Sequence, residues 1–257
     1  MRSYEFEYAL NRFLEPEKFN DFCPNGLLVD ATGNSDHEIK KVVTGVSLRE
    51  ALIDEAIGLH ADAIIVHHPN GFWKSEHDKR IVADNGRYVR KLIKAGIDLY
   101  GYHLPLDAHV GVGNNAQIYQ LLGLGYPCNA NRFMEQMIGY VGSGEITKEK
   151  LEILFEHGWQ TLGVPLDESK GHNIAICSGS GTSGLQEAYE IGCDVFITGE
   201  VRESTTIFAE EHDMTVIAAG HHRSEVFCVS ALAKEIDKSD SVFAGVSAEF
   251  VNFDNPI

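Results

Sequence analysis

The chain has 257 residues, 44% of them hydrophobic and 23% charged, proportions that exclude a disordered, fibrous or low-complexity protein. Its 21 basic and 38 acidic residues leave a net charge of −17, which excludes general binding to nucleic acid or to an anionic membrane surface. The five cysteines form no CxxC, no basic n-region with an apolar run opens the chain, and the most apolar stretch, 61–66, is far short of the roughly 20 residues of a membrane span, so a reducing cytoplasm is the expected location.

The spacing of apolar residues predicts a helix over 3–14, a strand over 41–45 and a helix over 48–58, followed by the β-type run Ala-Asp-Ala-Ile-Ile-Val at 61–66, which leads into His67-His68. A helix over 88–96 leads into Ile-Asp-Leu-Tyr-Gly-Tyr and then His103. Further on come a helix over 115–122, a strand over 138–142, a helix over 148–157 and a strand over 173–178. The helix over 183–192 leads into Cys-Asp-Val-Phe-Ile-Thr and then Gly199-Glu200, and the helix over 206–212 leads into Met-Thr-Val-Ile-Ala-Ala and then Gly220-His221. A last helix is expected over 225–236. Helices of 8 to 12 residues alternating with strands of about 5 give the pattern of a layered α/β fold. Histidine becomes sparse after Leu124, which predicts two lobes: 1–125 with 209–257, and a smaller α/β lobe, 126–208, inserted between them.

Ligands of open α/β sheets gather at the carboxyl ends of strands, where this sequence places metal-competent side chains three times: His67-His68-Pro69, His103-Leu-Pro-Leu-Asp107-Ala-His109 and Gly220-His221-His222-Arg-Ser-Glu225. Neighbouring strand residues point to opposite faces, so His67 and His68 are expected to serve two ions rather than one. His221 and Glu225, at i and i+4, share a helical face if the helix starts near His221, and a carboxylate can bridge two cations. Each segment also has a structural reading, as a hydrogen-bonded loop or a helix start; together they favour a metal site near the lobe interface. Imidazoles with carboxylates suit Zn, Fe, Mn, Ni or Co, identity open.

The runs Pro24-Asn-Gly-Leu-Leu-Val29, Val43-Thr-Gly-Val46, Ala61 to Pro69, Tyr100 to His109, Gly113-Asn-Asn-Ala-Gln117 and Gly220 to Glu225 resemble, in order and over nearly the whole chain, the bacterial GTP cyclohydrolase 1 type 2 homologues, YbgI-type members of the Ngg-interacting-factor-three-like family. The resemblance implies a two-lobed α/β protomer, a homohexameric toroid built as a trimer of dimers, and a dinuclear metal centre facing its interior. It implies five ligands: His67, His68, Asp107, His221 and Glu225. It also suggests GTP ring opening by a metal-bridging hydroxide, with His103 or His222 shuttling protons as catalytic groups. Pro69 stands where such members can carry glycine, which leaves the ligands intact.

Gly179-Ser-Gly-Thr-Ser-Gly184 has dinucleotide-loop spacing, but the acidic residue that should end the next strand instead begins it as Asp194. The loop is read as a tight turn, with an anion on its N–H groups as the alternative. Glu200 and Arg202 are read as a salt-bridged loop that can also face the cavity. Cys177 and Cys193 are read as core residues. Lys74, Arg202 and Arg223 are the local cations that can hold a triphosphate. A metal-dependent hydrolase is the leading reading; a metal chaperone or regulatory protein without turnover, and a partner-binding scaffold, compete with it.

Overall fold

The computed structural model describes residues 1–72, 81–125 and 127–255. In chain order its elements are α1 (Ser3–Leu14), β1 (Gly26–Val29), β2 (Lys41–Ser47), α2 (Glu50–Gly58), β3 (Ala63–His68), α3 (Ala83–Ala95), β4 (Asp98–Gly101), α4 (Leu104–Ala108), α5 (Asn114–Leu121) and β5 (Arg132–Phe133). They continue as β6 (Gly139–Glu145), α6 (Lys148–Phe155), β7 (Gln160–Gly163), β8 (Gly171–Cys177), α7 (Leu185–Glu190), β9 (Val195–Thr198), α8 (Glu203–Glu211), β10 (Thr215–Ala218), α9 (His221–Ile236) and β11 (Ser247–Phe250). The α/β class expected from the alternating pattern is what forms.

The chain divides into two compact units, the first Met1–Leu106 with Val229–Phe253 and the second Asp107–Cys228 with the tail from Asp254. The expected inserted lobe, 126–208, is shorter at both ends than this second unit. The difference has a pairing origin: β10 hydrogen-bonds to β7 and β9, and α5 packs on β6 and β8, which draws their residues into the inserted segment.

In the first unit a five-stranded sheet has the order β1-β4-β3-β2-β11, parallel throughout except for β1. The run Ala63-Ile-Ile-Val66 is wholly buried, as a central parallel strand covered on both faces requires. One cover comes from α2, whose Leu52, Ile53 and Ala56 pack with Val43, Ile64, Val66 and Leu99 into one core. Register then sets the chemistry: Val66 lies opposite Gly101, so the next residues along both strands bring His67 and His68 beside Tyr102 and His103.

In the second unit six strands run β5-β6-β8-β9-β10-β7, with β8, β9 and β10 parallel at the centre. Cys177, Thr198 and Ala218 are in register, so three strands finish at one level and release Gly179, Glu200 and His221 side by side. The backbone locks this edge: Gly179 O accepts from the N–H groups of Gly199 and Glu200, and Gly199 O accepts from Gly220 N–H.

Cys177 closes β8, buried as expected; Cys193 is also buried but lies two residues before β9. None of the five cysteines forms a disulfide. Among the described residues no helix is long and apolar enough to cross a membrane.

Candidate metal centre

The first unit brings three imidazoles together. His67, His68 and His103 each offer a nitrogen, and these nitrogens all lie within 4.8 Å of one another. The strand alternation expected to separate His67 from His68 fails, for their ring centroids are 4.5 Å apart. They are the last two residues of β3, directly ahead of Pro69. His103, read from sequence as a proton carrier, joins the same group with its ring 5.1 Å from that of His67.

Each ring is oriented from behind. The Nδ1 of His67 is 3.1 Å from the Tyr102 carbonyl, which can only accept, so that nitrogen carries the proton and metal chemistry goes through Nε2. His68 Nδ1 meets the Ser47 hydroxyl at 3.2 Å. His103 Nδ1 meets Asp21 Oδ1 at 3.0 Å. Asp21 is a functional residue the sequence reading missed. Its carboxylate also accepts from the N–H groups of Cys23 and Leu104 and from the Asn25 amide. Burial pushes its pKa up, but the bonds from His103, Cys23 and Asn25 outweigh burial and hold it well below the usual carboxylate range. No spacing rule could find Asp21, which lies 82 residues from its histidine. Because oxygen partners behind ligating histidines set tautomer and basicity, Asp21→Asn is expected to weaken metal binding or turnover by about 10–100-fold. A loss smaller than about threefold would show that His103 needs no such anchor.

In the second unit His221 and Glu225 take the predicted i,i+4 arrangement on the first turns of α9, with Nε2 to Oε2 at 3.1 Å. Glu200, weighed in the sequence as a loop residue, takes the oxygen position behind the ring: its Oε1 is 2.7 Å from His221 Nδ1, while Oε2 accepts from the Ser180 hydroxyl at 2.7 Å. Asp107, buried on α4, accepts on Oδ1 from Asn114 and from Ser178. Asn114 is itself fixed by accepting Cys228 N–H.

Glycine makes the close packing possible. Gly179 has a φ of +58°, and a Cβ there would sit 2.2 Å from Glu225 Oε1 and 3.4 Å from His221 Nε2. The donor chemistry and this cradle both fit a divalent ion. His222, the other expected proton carrier, is 9% exposed and lies about 100° around α9 from His221. His109 does not join the group; its Nδ1 accepts from the N–H groups of Gly111 and Val112 and closes a turn. Arg223 donates to the Gly158 carbonyl, and Lys74 lies outside the described residues. The Cys177 thiol is pushed far up by burial, then by Asp107 and Glu225, and is no thiolate nucleophile.

Burial pulls the His221 pKa down, but the bonds and charges of Glu225 and Glu200 outweigh it and raise the value from 6.5 to about 9. A cation taking Nε2 must therefore displace a proton, and metal affinity is expected to climb about tenfold per pH unit between roughly pH 7 and 9. Chelator competition across that window checks this; a flat profile would contradict it. By the same linkage His221 stabilises the metal-free fold fully below 6.5, and that contribution is lost as pH rises through about 9.

The family model Duf34/NIF3 (NGG1p interacting factor 3) matches residues 1–256. The chain belongs to the DUF34/NIF3 family. Within that family it is 37% identical over 272 residues to the GTP cyclohydrolase 1 type 2 homolog of Haemophilus influenzae, and 35% identical over 266 residues to that of Vibrio cholerae, with 100% of both chains covered in each case. Two solved structures share the fold of this DUF34/NIF3 chain over 100% of both lengths. The protein ybgI, of unknown function, has a TM-score of 0.86 at 33% identity, and TTHA1606 from Thermus thermophilus has 0.83 at 29%.

Proposed function

We propose that His67, His68, Asp107, His221 and Glu225 together hold two divalent transition-metal ions, drawn from Zn, Fe, Mn, Ni and Co, and that the protein is a metal-dependent hydrolase. The observation that carries this reading is the shared preparation of the three ligand imidazoles: His67, His68 and His221 each commit Nδ1 to an oxygen, from Tyr102, Ser47 and Glu200 respectively. That is the arrangement of ligating histidines, whose second nitrogen is fixed by an oxygen partner. With Asp107 and Glu225 the donors exceed the four that one tetrahedral ion takes, which favours a pair.

When bound, two such ions supply Lewis acidity and lower the pKa of water toward neutrality. The chain supplies the rest. Glu225 is the ligand suited to both ions, because its carboxylate has two oxygens. His103, oriented by Asp21, and His222 move protons to and from the reacting group. The relatives' name, GTP cyclohydrolase 1 type 2 homolog, makes a purine nucleotide the first substrate to test, with attack on the imidazole carbon of the base and release of formate. We further place the protein in the cytoplasm as a homohexameric toroid, a trimer of dimers.

The test is turnover. Metal-loaded protein is incubated with a nucleotide panel beginning with GTP, and formate release and nucleotide loss are followed by mass spectrometry. Conversion by the wild type supports the hydrolase. An untouched panel, with ions passing instead to an apo acceptor protein, replaces it with metal delivery.

A further inference from the structure

Wholly within the second unit, an open cavity of about 310 Å³ lies between the loop after β8 and the turn that starts α8. Five hydroxyl side chains line it, among them Ser180, Ser204 and Thr205, together with the guanidinium of Arg202; Leu185 and Phe208 supply an apolar wall. No carboxylate lines it, in a chain with 38 acidic residues. Among the described residues Arg202 makes no ion pair, so its charge is not already spent within the protein. One wall is the Gly179–Gly184 loop, whose Ser180 hydroxyl donates to Glu200, the carboxylate that orients His221.

We propose that this cavity binds a phosphoryl group, with Arg202 as its charge partner and the hydroxyls of Thr182, Ser183, Ser204 and Thr205 as donors. A planar guanidinium matches two phosphate oxygens at once, and rotatable hydroxyls fill the remaining acceptor positions. The volume is at the small end of ligand pockets, enough for a phosphate with the sugar-sized group that bears it. The Ser180–Glu200–His221 chain also links occupancy of the cavity to a ligand of the metal centre. As an account of how the substrate is held, this proposal rests on the hydrolase reading; as a binding site it does not.

The test is calorimetric titration of full-length protein, metal-loaded wild type and Arg202→Gln beside metal-depleted Glu225→Gln, with inorganic phosphate, GMP and guanosine. Phosphate and GMP are expected to bind wild type and Glu225→Gln alike. Arg202→Gln should weaken both by at least about tenfold, the loss expected when a hydrogen-bonded charge is removed. Guanosine, lacking the phosphoryl group, should bind at least about tenfold more weakly than GMP. Stronger GMP than phosphate binding identifies a nucleotide as the occupant; equal binding identifies the bare phosphoryl group as the whole determinant. The proposal is overturned if Arg202→Gln binds phosphate as wild type does, if binding disappears in Glu225→Gln because the ions alone hold phosphate, or if wild type binds neither probe. Phosphate binding that depends on Arg202 without any turnover defeats the hydrolase reading alone. Turnover with a wild-type KM in Arg202→Gln defeats the cavity alone.

Discussion

Gly179→Ala is expected to lower metal affinity at the His221–Glu225 pair by at least about 100-fold, or about 3 kcal/mol, without unfolding the second unit. The methyl group would arrive 2.2 Å from Glu225 Oε1, well inside contact distance. The loop cannot retreat cheaply, since Gly179 N–H donates to the Ser224 hydroxyl and Gly179 O accepts two backbone N–H groups from the end of β9. Glu225 must move instead, and it carries the chelating geometry. Alanine at a φ of +58° also costs roughly 1–2 kcal/mol of backbone strain. Gly192→Ala separates the two effects, because Gly192 has a φ of +86° and a methyl group added there would meet nothing within 4 Å. That control should lose a few degrees of Tm, comparable with Gly179→Ala, and keep its metal. Equal metal affinity in both variants, measured by chelator competition, would mean that the glycine serves the turn and not the ligand.

Glu225→Gln is expected to abolish turnover and reduce metal affinity by at least about 100-fold while the fold persists. The amide keeps the shape of the carboxylate but removes the charge that a cation needs. It also removes the largest upward influence on His221, whose pKa should fall from about 9 toward the ordinary range. Glu225 is only 3% exposed, and although a neutral amide is cheaper to bury than a carboxylate, the variant loses the Glu225 share of the stability that the raised His221 pKa provides, so at neutral pH the metal-free variant should melt a few degrees below metal-free wild type while still folding cooperatively. Retained metal together with retained turnover would remove Glu225 from the site. A collapse of the metal-free fold would instead make its role structural.

The central strands were legible because a parallel sheet buries both faces, and the runs at 63–66, 195–198 and 215–218 advertise that in nearly unbroken apolar residues, interrupted only by Thr198 and Thr215. All four strands that the apolar pattern failed to reveal, β1, β5, β7 and β11, are edges of the two sheets. Edge strands of two to four residues, such as the largely exposed β7, carry too little hydrophobic signal to read. The histidine-rich segments stood out because they follow strand ends, where residue type is least constrained by packing, and the resemblance then proposed which five of their residues act as ligands. The residues behind them were only partly legible: Glu200 reads as able to face the cavity, whereas Asp21 and Ser47 are ordinary loop and strand-end residues whose meaning comes only from the nitrogen each one faces. The division of the chain differs from the lobe boundary drawn from composition for a related reason: which unit an element joins depends on pairing, as β10 with β7 shows.

Elemental analysis of untagged protein purified gently without chelator tests the central claim most directly. Two divalent transition-metal ions per chain is the expected content. A content of one ion per chain, or of none, would contradict it.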